Sequence, residues 1–304
     1  MLDLSHIPNS QQDIKVFYSN GVTNAWQTWN KPRKCNYVWI MCIGSGGGGG
    51  GGYGSSTTLG GAGGGGGAIT RVLYNAQQLP DVLYVQVGVG GAGGAGATVF
   101  GSAGSNGSSG QRSFVSLQPV NNVAQNLVAT SGGGAAAGGS GAGGGGVTAA
   151  ESAGTQASAT FYTLGNFIST NGQPTLAFPT QQDITPFTSQ LVTPGAGGMP
   201  AGNTSAAGNI FSSSISPLIP GGAGATASGS NGGNGADGIT SYKPFFSTGG
   251  AGGGNSVSGS GGNGGNGGIG SGGGGGGSAR VVAGVTTGGR GGRGGDGLVV
   301  IISF

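Results

Sequence analysis

His6 is the only histidine in the 304 residues, so proton transfer near neutral pH would fall to it or to one of seven carboxylates. It stands beside Ile7-Pro8 close to the N-terminus, and no motif around it sets out a Ser-His-Asp arrangement. The acidic residues are dispersed, and no two share the spacing of a paired-carboxylate hydrolase. Cys35 and Cys42 are an odd number of residues apart. In a strand they would point to opposite faces, which argues for two thiols rather than a local disulfide. Two cysteines with no further ligand set do not make a zinc site. The glycine runs contain Gly-x-Gly-x-x-Gly by necessity, but no Gly-Lys-Ser/Thr follows to complete a phosphate loop. Arg290-Gly-Gly-Arg293-Gly-Gly has the outline of an RNA-binding RGG segment, with two arginines and no aromatic nearby. These residues predict no enzyme, no cofactor and no metal, and a structural or binding role instead.

The composition says the same. Glycine supplies 80 of the 304 residues, and charged residues make up 6%, against about 25% in ordinary domains. A helical domain is excluded, because each interior glycine costs a helix about 1 kcal/mol relative to alanine. Collagen is excluded by the absence of a strict period of three and by only 12 prolines. The formal charge of +3 comes from scattered basic residues, not the dense basic face of a nucleic-acid binder. No run of about 18 apolar residues predicts membrane insertion. The N-terminus lacks the basic and apolar regions of a signal peptide. The expectation is a protein made in a cytoplasm and released without a secretory signal, which suits a virion component.

Four segments follow from the local patterns. Residues 1–44 carry β-favouring stretches at Asp13–Ser19 and Tyr37–Ile43, a turn signal at Asn20-Gly21, and tryptophans at 26, 29 and 39 that are expected in a core. Residues 45–150 are glycine-rich with interspersed strands, including Ala68–Tyr74, Val82–Gly88, Ala97–Phe100 and Ser113–Leu117. Residues 151–219 form a loop-rich insertion in which prolines exclude long regular elements. Residues 220–304 return to glycine and close on Leu298–Phe304, a β run at the chain's end.

The glycine tracts have two physical outcomes, a flexible coil or a left-handed threefold helix of polyproline-II type with about 3 residues per turn. Such helices have no internal hydrogen bonds and persist only when packed side by side, with glycine on the inward ridges. The Gly-Gly-X runs favour packing. At a three-residue step Asn263, Asn266 and Ile269 share one ridge, and Arg290, Arg293 and Asp296 share another. The expected fold is mainly β: a small β-sandwich closed by the N- and C-terminal strands, with glycine tracts packed as polyglycine-II helices and little or no α-helix.

Three motifs in order carry a resemblance. Trp26-x-x-Trp-x-Lys-Pro followed by Tyr37–Gly44, then Leu83-Tyr-Val-Gln-Val-Gly-Val-Gly-Gly-Ala-Gly-Gly, then Gly294-Gly-Asp-Gly-Leu-Val-Val-Ile-Ile-Ser-Phe are similar to the glycine-rich domain of bacteriophage tail-fibre and tail-tip proteins. The likeness spans nearly the whole chain apart from 151–219. It implies a virion structural protein, a tail fibre or fibre-tip adhesin that contributes to host attachment. Its implied partners are other virion proteins, two further copies in a homotrimer, and a host glycan or outer-membrane protein as receptor. Nucleic acid is not among them. A non-adhesive virion module, such as a head decoration or fibre adaptor, and an ice-binding polyglycine-II protein stay open as alternatives.

Aromatic islands interrupt the glycine. Phe161, Tyr162, Phe178, Phe187, Tyr242, Phe245 and Phe246 either fill small satellite cores or form an exposed surface for the receptor. Leu2, Leu4 and Ile7 are the candidate virion-anchor segment.

Overall fold

The computed structural model describes residues 13–55, 60–120, 126–130, 168–170, 192–198, 207–213, 216–225, 229–242, 245–280 and 286–304. The candidate anchor Leu2, Leu4 and Ile7 and the aromatics Phe161, Tyr162, Phe178 and Phe187 lie outside them. The described strands are β1 (Asp13–Tyr18), β2 (Trp26–Asn30), β3 (Tyr37–Ile43), β4 (Ile69–Asn75), β5 (Val82–Gln86), β6 (Ser113–Ser116), β7 (Asn126–Thr130), β8 (Ile168–Thr170), β9 (Thr240–Tyr242), β10 (Phe245–Ser247) and β11 (Leu298–Ser303). All strand pairings are antiparallel, and no α-helix occurs among the described residues. The chain is mainly β, as its composition requires.

Five strands form one sheet in the order β1-β11-β3-β4-β8, four form a second in the order β2-β5-β6-β7, and β9 and β10 make a hairpin. The first and last strands lie side by side, and β11 sits inside its sheet between β1 and β3 rather than at an edge. This position explains why Tyr37–Ile43 and Leu298–Ser303 read as unbroken apolar runs, because both of their faces are covered. Val38, Ile40, Cys42, Val299 and Ile301 join Leu83 and Val85 of the second sheet, together with Trp29, Tyr74 and Leu127, in one core. The alternate residues Met41, Ile43, Leu298, Val300 and Ile302 enter a second core with Ile69 and Val192, against which Trp39 and Phe245 pack. Burying a side chain such as Ile40 contributes about 1.5–3 kcal/mol. Cys42 is buried and Cys35 half-buried, both as free thiols.

The glycine tracts are ordered, and residues 44–53 show how. Gly44, Gly47 and Gly50 donate their N–H groups to the carbonyls of Ala68, Gly65 and Ala62. Ser45, Gly48 and Gly51 donate to Gln111, Ser108 and Ser105, and Gly46, Gly49 and Gly52 to Gly295, Gly292 and Gly289. These bonds measure 2.8 to 3.2 Å. Every third residue therefore faces the same neighbour, the signature of a helix with three residues per turn. The same tract accepts bonds from Gly91, Gly94 and Ala97 on one side and from Gly273 and Gly276 on another. It is the centre of a polyglycine-II bundle.

The packing leaves no room for side chains on the inward ridges. A Cβ on Gly48 would overlap the carbonyl of Ala92, and one on Gly49 the carbonyl of Gly274. Ordering a residue costs about 1–2 kcal/mol, comparable to the net gain from one hydrogen bond. A tract stays ordered only where its bonds are made on every side and its ends are held. The strands hold them: 44–53 leaves β3, 88–97 leaves β5 and 248–256 leaves β10, while 60–67 enters β4, 102–111 enters β6, 230–239 enters β9 and 286–297 enters β11. The described glycine tracts of segments 45–150 and 220–304, which read as successive regions, thus interleave in one bundle. Ala97–Phe100 is not a strand. The chain turns back there, and Gly101 takes a left-handed φ of +74° to close the turn.

Candidate functional site

Strands feed many of the tracts at one end, and the turns at 99–101 and 257–259 lie at the other, while the turn at 269–270 lies at the sheet end. Val99 and Phe100 occupy the turn at 99–101 and are 58% and 60% exposed. Val257 lies at a second turn, 37% exposed. The hydroxyl of Tyr53 donates to the Gly101 carbonyl (2.7 Å) and braces this end. The result is a stiff shaft that presents an apolar tip.

The flank of the bundle carries the X residues. Tracts 230–239, 259–268 and 286–297 run parallel, and their outward ridges hold Asn231, Asn234 and Asp237, then Asn263 and Asn266, then Arg290, Arg293 and Asp296. An N–H belonging to an outward residue has no glycine carbonyl to reach. Side chains on the next tract supply the acceptor. Asn234 Oδ1 accepts from Asn263 N (2.9 Å) and Asp237 Oδ1 from Asn266 N (2.6 Å). Asn263 Oδ1 and Asn266 Oδ1 in turn accept from Arg290 N (2.8 Å) and Arg293 N (2.9 Å). The ridges expected from the three-residue step are present, and their polar residues complete the hydrogen bonding at the surface.

A cleft of about 540 Å³ opens where this flank meets the sheet. The end of β1 contributes Tyr18 and Ser19, the hairpin contributes Thr240 and Tyr242, and the ridges contribute Ile269, Arg293 and Asp296 over a floor of bare glycine backbone. Tyr18 and Tyr242 are 51% and 52% exposed and both line the cleft. The Tyr242 phenol is pushed up to about 12, first by burial and then by the neighbouring Tyr18 phenol and its charge. Asp296 Oδ1 accepts from Arg293 Nη2 and from the Gly90 N–H (2.8 Å), which fixes the carboxylate at the cleft wall. Thr240 Oγ1 accepts from Ile269 N (2.9 Å) and lies 3.0 Å from Ser247 Oγ.

Of the aromatics singled out by sequence, Tyr242 reaches this cleft, Phe245 is half-buried against the second core, and Phe246 is buried at 8%. The Tyr242 and Phe245 rings meet edge to face at 6.3 Å. Sequence reading missed Tyr18, because it sits at the end of an ordinary strand, and Phe100, because the alternation around it suggests a strand. Arg293 and Asp296 were visible as ridge residues, but nothing in the chain order brings them to Tyr18. Among the described residues no group of three or more His, Cys, Asp and Glu is placed to hold a metal. No helix among them is long and apolar enough to cross a membrane.

A family model for a glycine-rich domain matches residues 21–303. The chain belongs to that glycine-rich domain family. In this glycine-rich domain the match takes in the strands from β2 to β11 and the described glycine tracts, and leaves out β1. A search of curated proteins found no match.

Proposed function

We propose that this glycine-rich domain protein is a bacteriophage virion component, a tail fibre or fibre-tip adhesin that attaches to the host surface. The observation that carries the reading is the stiff bundle ending in exposed turns with Val99 and Phe100 at their tip. Rigid scaffolds that display loops are suited to recognition, and an ordered tip loses little freedom on binding. The motif resemblance to tail-fibre proteins points the same way. On this reading the chain is made in the host cytoplasm and assembles into the virion, as a homotrimer with other particle proteins at the sheet end. Its receptor is a host glycan or outer-membrane protein.

A non-adhesive head decoration or fibre adaptor is the second reading. It is favoured by β1, an edge strand with Ile14 and Val16 exposed at 48% and 41%, which offers a docking strip for a particle protein. The ice-binding reading asks for a flat face of small residues, and the charged ridge of Arg290, Arg293 and Asp296 weighs against it. The test is adsorption of the labelled full chain to cells that the phage infects, in competition with the phage. Saturable adsorption that falls at least tenfold in Val99→Ser/Phe100→Ser supports the adhesin. Absence of adsorption, with incorporation into particles intact, favours the adaptor.

A further inference from the structure

We infer that the cleft between Tyr18, Tyr242 and the Arg293–Asp296 pair is a saccharide site, separate from the tip, that takes a neutral pyranose. The inference rests on the adhesin reading for its biological source, a host surface polysaccharide, but not for its chemistry. The cleft volume of about 540 Å³ falls within the range of small-molecule sites, roughly 300–1,000 Å³.

A pyranose has one face of C–H groups and a rim of hydroxyls, and the cleft offers a partner for each. Tyr18 and Tyr242 both line the cleft and are half-exposed, and the Tyr242 ring is held edge to face against Phe245. Pre-set aromatic surface of this kind costs little conformational entropy on binding. Opposite lies a charge-paired donor and acceptor. Asp296 is held by Arg293 and by the Gly90 N–H through one oxygen, Oδ1, and Arg293 commits one nitrogen, Nη2, to that bond. The other carboxylate oxygen and the remaining guanidinium N–H groups have no bond among the described residues, and both side chains are partly exposed, at 29% and 46%. Such a pair accepts a hydrogen bond from one hydroxyl of a vicinal diol and donates one to its neighbour, with charge-assisted bonds at both. Gly267, Gly268, Gly295 and Gly297 line the floor, so no side chain keeps a ring from the backbone.

The choice of a neutral sugar follows from the electrostatics. The guanidinium charge is already matched by Asp296, and a uronic or sialic acid carboxylate would face that carboxylate at close range. An acidic sugar is therefore disfavoured although the site contains an arginine.

The test uses the purified full chain and saturation-transfer-difference NMR with the methyl glycosides of glucose, galactose and mannose, and with glucuronic acid as the anionic comparison. At least one neutral glycoside is expected to bind, with affinity lowered tenfold or more in Tyr242→Ala, largely kept in Tyr242→Phe, and lowered three- to tenfold in Arg293→Lys. Circular dichroism of each variant confirms the fold. Three results overturn the inference: no saturable signal from any neutral glycoside, binding unchanged in Tyr242→Ala, or preference for the glucuronate. The cell-adsorption assay is run in parallel. Adsorption without glycoside binding removes the cleft and leaves the adhesin reading standing. Glycoside binding without adsorption keeps the cleft and removes the adhesin.

Discussion

Replacing Gly49 by alanine asks whether the centre of the bundle is packed as described. Gly49 donates to Gly292 (2.9 Å) and accepts from Gly94 (2.8 Å), and a Cβ there would overlap the carbonyl of Gly274. That carbonyl belongs to backbone, so it cannot rotate away. Tract 271–279 must move off tract 44–53, to which it is tied by Gly273 N to Gly47 O (3.0 Å) and Gly276 N to Gly50 O (2.9 Å). Lengthening those two bonds costs about 0.5–1.5 kcal/mol each, and overpacking a close-packed site adds about 1–3 kcal/mol. The smaller freedom of alanine in the unfolded chain returns about 0.4–1 kcal/mol. The net expectation is a loss of about 2–5 kcal/mol, which for a chain of this size lowers Tm by about 3–8 °C. Differential scanning calorimetry or a thermal melt followed by circular dichroism reads it. Ala92→Ser, on an exposed ridge, is the control and should stay within about 0.5 kcal/mol of wild type. The sign is decisive. In a flexible glycine tract, alanine would leave stability unchanged or raise it, so a Gly49→Ala melt at or above the wild-type Tm refutes the packed bundle.

Two further expectations concern the ridges and the buried thiol. Asn263→Ala and Asn266→Ala each remove an acceptor that a neighbouring backbone N–H uses, at an exposed position where water partly substitutes. Each should cost about 0.5–1 kcal/mol, with Asn266→Asp close to wild type, and denaturant titration of the single and double variants checks this. Burial raises the Cys42 thiol above its ordinary 9.0, and burial followed by the charge of Cys42 raises the Tyr74 phenol above 10.0. Both groups are neutral when protonated, so the stability they contribute is complete below the unfolded values and is lost as pH rises towards the folded ones. Tm should hold steady up to about pH 8 and fall from about pH 9 upward, and Cys42→Val should move the onset about one unit higher. A fall that begins at the same pH in that variant would show that Cys42 is not its source.

The strands were legible because their chemistry is local. Tyr37–Ile43 and Leu298–Ser303 are apolar on both faces since both faces are covered, and Asn20-Gly21 marks a turn that Gly21 closes at a φ of +76°. The ridges were legible too, because a period of three in Asn263, Asn266 and Arg290, Arg293 reflects a helix of three residues per turn. What could not be read is which tract lies beside which. Glycine has no side chain to encode a partner, so the neighbours of 44–53 are set by the strands that launch each tract and by the β pairings that place those strands. The cleft was hidden for the same reason, as Tyr18 and Arg293 are 275 residues apart in number and meet only because β1 pairs with the strand that follows the Arg293 ridge. The acceptor role of the ridge asparagines was likewise invisible, since it depends on the adjacent tract. Exposed Phe100 was misread because Ala-Thr-Val-Phe has β propensity, which a tight turn at the end of two packed helices overrides.

The three-residue register makes length in this molecule come in fixed increments. Inserting or deleting one residue within a tract would rotate everything beyond it by a third of a turn, sending a ridge residue into a glycine-only contact and a glycine to the surface. Adding three residues to each arm of an outer pair, such as 88–97 and 102–111, keeps every later residue on its own ridge and carries the turn outward by about 9 Å. Natural or engineered variants can therefore extend or exchange the tip in whole steps while the sheets and the inner tracts stay as they are, and gaps within the tracts of related chains should fall in multiples of three.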